Sequence, residues 1–134
     1  MPDEKQIGLA KYRLQNSEEK LDTAKLLVSA GKYKDAVNRT YYAVFSAMRA
    51  VLALESTDFK RHSGVISYFR KEYIKTGIFP VECSRIIDRA FQIRTQSDYD
   101  DFFLVSKEDA ELQLISAETF YRYITAYMEQ FVVN

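Results

Sequence analysis

Cysteine, histidine, tryptophan, proline and net charge are all scarce here, and each scarcity removes a class of function. One cysteine, Cys83, rules out a disulfide within the chain, and one histidine, His62, leaves too few soft ligands for a zinc site. A di-iron bundle needs a Glu-x-x-His pair on each of two helices, which a single histidine cannot supply. No metal and no cofactor are therefore expected. Nineteen basic residues balance nineteen acidic ones, so no overall field draws the chain to duplex DNA or an anionic membrane. Any nucleic-acid contact must use a local patch. No apolar run is long enough to span a bilayer, and the opening Met1-Pro2-Asp3-Glu4-Lys5 is charged where a secretory signal would be apolar. A cytoplasmic protein is the expectation.

Only four glycines and two prolines interrupt the 134 residues, and between them apolar side chains recur at the helical period. At 47% hydrophobic and 28% charged, the chain has the composition of a folded domain. The first helix is expected from about residue 5 to Ala30, buried along Ala10, Leu14, Leu21, Ala24 and Val28 and closed by Gly31. The second, about Tyr33 to Glu55, has a broad apolar arc: Val37, Tyr41, Val44, Phe45, Met48, Val51 and Leu52. Its opposite side carries Arg39, Tyr42, Ala43, Ser46 and Ala50, small enough in the main to admit another backbone, either a neighbouring helix or a sister chain.

After a polar connection, Ser63 is positioned to cap a short third helix ending near Gly77. Pro80 suits the first turn of a fourth. That helix carries Cys83, Ile86, Ile87, Ala90, Phe91 and Arg94 on one stripe, so Cys83 reads as packing rather than as a reactive thiol. The pattern breaks over Ser97 to Phe103. Ser106, Glu108 and Asp109 open a fifth helix with its seam at Ala110, Leu114, Ala117, Tyr121, Ile124, Met128 and Phe131. The fold class is all-α, an up-and-down bundle of four long helices and one short one, in a single domain over residues 1–134.

Arg94 ends an apolar row, and a half-buried guanidinium needs partners. It either receives a phosphate or pairs with Asp98 one turn on. Arg39 and Tyr42 share a helix face that can approach Arg94, as a binding surface or as a polar network that sets helix register. Lys60, Arg61 and His62 lead into a helix N-terminus, which suits a phosphate or else is a solvated loop. Tyr99 either meets a nucleotide or caps the bundle end with its hydroxyl in water. The ten tyrosines and nine phenylalanines lie mostly at core spacing and are read as packing.

Three stretches resemble a known family. Arg39-Thr40-Tyr41-Tyr42-Ala43-Val44-Phe45 resembles the Arg-x-Tyr-Tyr-Ala-x-Phe helix of HEPN domains. Lys60-Arg61-His62-Ser63-Gly64 is similar to their Lys-x-His-x-Gly turn, and Arg94-Thr95-Gln96-Ser97-Asp98-Tyr99 to their Arg-x-x-x-Asp-Tyr stretch. The resemblance implies a homodimer, often encoded beside a small nucleotidyltransferase as a toxin–antitoxin or related pair. It also implies RNA or a nucleotide as ligand.

Many members of that family are metal-independent ribonucleases, in which an Arg followed after four to six residues by a His lies at the dimer cleft. Here the count from Arg94 reaches Tyr99, a phenol that stays protonated near neutrality and makes a poor general base. His62 supplies an imidazole only if the fold or a second copy carries it to Arg94. Some members accept adenylyl groups on a tyrosine near this motif, a role that would fall to Tyr99.

The resulting expectation is a component of such a pair that binds RNA or nucleotide at a cleft around Arg94, with weak or absent ribonuclease activity. The alternatives are an inert protein that holds a nucleotidyltransferase and, third, an active ribonuclease.

Overall fold

A computed structural model describes residues 1–132 and contains five α-helices, with no strand among them. These are α1 (Glu4–Ser29), α2 (Tyr33–Ala53), α3 (His62–Phe69), α4 (Val81–Tyr99) and α5 (Lys107–Val132). Four are long and α3 is short, as the periodicity predicts. Residues 133 and 134 of the expected span lie outside the described residues. Among the described residues no helix is long and apolar enough to cross a membrane.

Local chemistry sets the ends of α1. Asp3 caps it by accepting from the Gln6 amide at 2.9 Å, while the Gln6 side chain accepts from the Asp3 amide at 2.8 Å. This reciprocal pair satisfies two otherwise orphaned donors. At the far end Gly31 adopts φ +77°, so that Lys32 N–H reaches back to the Leu27 carbonyl at 2.8 Å. A left-handed residue at this point favours glycine.

α2 is the central element and meets all four other helices. The middle of its small-residue side packs against α1 of the same chain at Ala43, whereas Arg39 is exposed and Tyr42 and Ser46 are half-buried. Buried Ser17 of α1 donates to the Ala43 carbonyl at 2.7 Å, an approach that the alanines at 43, 47 and 50 leave room for. The Arg13 guanidinium donates to the Arg49 carbonyl at 3.1 Å and lies 3.4 Å from Asp58, which Arg49 also grips at 2.6 and 3.2 Å. Those arginines hold the Asp58 carboxyl below its ordinary range, the Arg49 hydrogen bond contributing most. The loop between α2 and α3 is thereby tied to both long helices.

Three boundaries differ from those the sequence predicts. Ser63 does not cap α3; the cap is Arg61, no side chain bonds the first turn, and the helix already includes His62. α3 gives way at Phe69 to a π-helical turn, Arg70–Ile74, rather than running to Gly77. α4 runs into the expected break as far as Tyr99, because Ser97 is buried and its turn is held in the bundle, and the chain is non-helical from Asp100 to Phe103 as expected. Pro80 caps α4 from just outside its first turn.

Gly64 has a steric reason within the Lys60-x-His62-x-Gly64 turn. A Cβ there would stand 2.9 Å from the Phe59 Cβ, an atom fixed to the backbone rather than the far end of a flexible chain. Gly64→Ala gains helix propensity of about 1 kcal/mol, against an overpacking cost of about 1–3 kcal/mol. A net loss of about 1 kcal/mol in urea unfolding is expected, together with movement of Phe59. A stabilised variant would show that the loop yields freely.

Candidate functional site

Adjacent tyrosines on α2 diverge and gather residues from two other helices. Tyr41 is 1% exposed and points inward, whereas Tyr42 is half-buried at the surface. From α4 the Arg94 guanidinium lies over both, 5.2 Å from the centre of the Tyr41 ring and 5.4 Å from that of Tyr42. Such cation–π contacts favour the charge where water is scarce. Arg94 Nη2 donates to the Tyr42 hydroxyl at 3.0 Å. Its buried Nε stands 2.9 Å from Asp98 Oδ2, an ion pair whose N–H is not aimed squarely at the oxygen.

His62, from the start of α3, completes the group. Its Nδ1 lies 3.0 Å from the Tyr41 hydroxyl, and its ring packs on Phe45 with centroids 4.0 Å apart. Tyr42 presents its edge to the same imidazole at 5.8 Å. Arg94 and His62 therefore share two tyrosines within one chain, Tyr41 giving its ring to one and its hydroxyl to the other. Burial pushes the Tyr41 phenol up to about 12, so it stays protonated near neutrality. When it donates to Nδ1, the imidazole carries its proton on Nε2; the other tautomer leaves Nε2 as a base.

Burial, then the charges of Arg94 and Arg49, lowers the His62 pKa below its ordinary 6.5. A neutral imidazole at pH 7 follows. Its titration by NMR is expected below 6.5, and Arg94→Gln is expected to raise it without restoring the ordinary value, since burial remains the larger cause. As pH falls past about 6.5 the unfolded chain takes up the proton before the folded one. The stability tied to this group is therefore complete above 6.5 and erodes toward the lower folded value. A titration unmoved by Arg94→Gln would show that the guanidinium does not act on the imidazole.

The remaining residues singled out in the sequence are scattered. Tyr99 is 78% exposed at the end of α4, and Arg39, Lys60 and Arg61 are also exposed. Arg94 and Asp98 are together, with side chains 18% and 30% exposed. Helical spacing marks Tyr41 and Phe45 only as core. The signal that separates them is a tyrosine on a fully apolar arc, since a buried phenol needs a partner for its hydroxyl. Cys83 is fully buried, and its burial pushes the thiol up to about 12.

The chain is 34% identical over 112 residues to a UPF0332 protein of Thermotoga maritima, covering 84% of this chain and 85% of that one. A Methanocaldococcus jannaschii protein named "putative toxin" is 35% identical over 107 residues, 80% of this chain and 73% of its own. A UPF0332 protein of Gloeobacter violaceus is 28% identical over 118 residues, 87% and 94% of the two chains. The HEPN domain model matches residues 10–127. With the tyrosine pair of α2 and the arginine of α4 in these positions, the chain belongs to the HEPN domain family.

Proposed function

We propose that this is a toxin-like HEPN protein that binds RNA or a nucleotide through a phosphate at Arg94, with weak or absent ribonuclease activity. The observation that carries the reading is the state of the guanidinium. Asp98 and Tyr42 hold it in place but do not use up its donors: Nε faces Asp98 and Nη2 meets Tyr42, while among the described residues none meets Nη1. A fixed arginine with donors to spare suits an anion with several oxygens. The toxin role draws support from the names of two Methanocaldococcus jannaschii relatives. A homodimer that shares the cleft, a small nucleotidyltransferase as partner and a cytoplasmic location complete the proposal on the strength of the family resemblance. Asp98 then orients Arg94, while Arg39, Lys60 and Arg61 add positive charge around the ligand. Tyr99 projects into solvent, where it is open to a nucleotide or to modification.

A second reading, the metal-independent ribonuclease, is favoured by His62. A neutral imidazole near Arg94 can take the proton of a 2′-hydroxyl as that oxygen attacks the phosphorus held by Arg94. The 5′-oxygen then leaves, taking a proton from solvent. Both readings meet one experiment: binding and cleavage of a fluorescein-labelled unpaired RNA hexamer by the wild type, Arg94→Ala and His62→Gln. Arg94→Ala is expected to lose binding. If His62→Gln binds but no longer cleaves, the second reading holds; equal affinity in wild type and Arg94→Ala rejects the site.

A further inference from the structure

Between α3 and α4 lies a cavity of about 300 Å³, of whose lining only Ser63 falls within a sequence motif. Its walls include Ser63 and Ser67, one helical turn apart on α3, and Arg70 where the π turn begins. Ile87, Asp88 and Phe91 of α4 close the other side. The cavity's lining adjoins residues of the Arg94 site without including them. Phe91 is one turn before Arg94 and its ring meets Tyr41 at 5.9 Å, while Ser63 follows His62 directly. The sequence places Phe91 on the buried stripe of α4, yet 43% of it is exposed.

We infer that this groove is a nucleoside subsite that takes an unpaired base of single-stranded RNA, stacked on Phe91, beside the phosphate at Arg94. The inference rests on the phosphate reading of Arg94 and adds the class of ligand. An exposed aromatic ring over an apolar floor matches the face of a base, which stacks without regard to sequence. Both serines are exposed and, among the described residues, their side chains form no hydrogen bond, so their hydroxyls can meet a ribose or a base edge. Arg70, paired with Asp88 through Nη2, stands at the same rim. The first turn of α3 has no side-chain cap, so its amides also favour an anion there. A paired base cannot enter, because its faces are already stacked in the duplex.

The test uses a fluorescein-labelled hexamer of uridines, the same strand annealed to its complement, and UMP, with each variant also checked by sedimentation. The wild type is expected to prefer the unpaired strand to both other probes. Phe91→Ala is expected to weaken that binding by roughly tenfold or more, Phe91→Tyr to restore most of it and Phe91→Leu to restore little. A hexamer carrying 4-thiouridine should crosslink to the peptide that contains Phe91 or Ser63. Unchanged affinity in Phe91→Ala, full rescue by Phe91→Leu, or equal binding of the duplex overturns the subsite. If Arg94→Ala still loses binding in that case, the phosphate reading stands alone. Loss in Phe91→Ala with none in Arg94→Ala keeps the stacking face and overturns the phosphate reading. A fall in sedimentation coefficient on Phe91→Ala would assign the face to a protein contact and overturn the subsite, and a wild type that binds none of the probes overturns both proposals.

Discussion

Arg94→Ala is expected to lower affinity for unpaired RNA by roughly tenfold to hundredfold and to abolish any growth arrest, while helicity and thermal unfolding stay close to wild type. The magnitude follows from charge-assisted hydrogen bonds to phosphate, each contributing about 1.5–3 kcal/mol. The fold should tolerate the change. Asp98, with its side chain 30% exposed, can be rehydrated, and the Tyr42 hydroxyl lies at a half-buried position. Arg94→Lys is the sharper control. An ammonium keeps the charge but has no planar fork with which to meet Tyr42, Asp98 and a phosphate at once. It is therefore expected to recover little of the affinity. Full recovery by lysine would reduce the role of residue 94 to general electrostatics. Equal affinity in wild type and Arg94→Ala would leave the cluster as a structural ion pair.

Helical period alone places Arg94 on a buried row, and the Arg39–Phe45 segment marks α2 as the helix that faces it. Both elements form as expected, because their apolar stripes agree with the packing around them. What the period does not contain is which face meets which partner. The small-residue side of α2 is legible as a stripe, but that α1 packs on its middle follows from tertiary packing. His62 lies far from Arg94 in sequence, and only the path of the loop anchored at Asp58 brings it under Tyr41. The break expected from Ser97 begins only after Tyr99 for a similar reason. Ser and Asp compete with helices locally, yet burial of Ser97 keeps that turn of α4 helical. Spacing assigns Phe91 to the core, although the groove between α3 and α4 leaves 43% of it exposed.

Phe69→Ala is expected to be the most destabilising single change. Phe69 is fully buried where α3, the π turn, the α4 approach and α5 converge, and it stacks on Tyr73 and Phe79 with centroids 5.4 Å away in each case. Phe120 of α5 lies 5.8 Å away on another side. Three aromatic neighbours from separate segments cannot all close on a methyl group, so a cavity remains. The loss should be about 3–5 kcal/mol. For a chain of 134 residues that corresponds to a fall in Tm of roughly 10–20 °C. Phe69→Leu, which refills much of the volume, is expected to cost about 1.5 kcal/mol. The consequence reaches the site, because α3 carries His62 at one end and Phe69 at the other. Loosening the anchor should release the imidazole from Tyr41 and let its pKa rise toward 6.5 before the rest of the bundle melts. Thermal unfolding followed by circular dichroism, with the His62 resonance recorded on the same variant, reads both effects. A drop in Tm with an unmoved His62 titration would show that the Asp58 loop alone positions the imidazole.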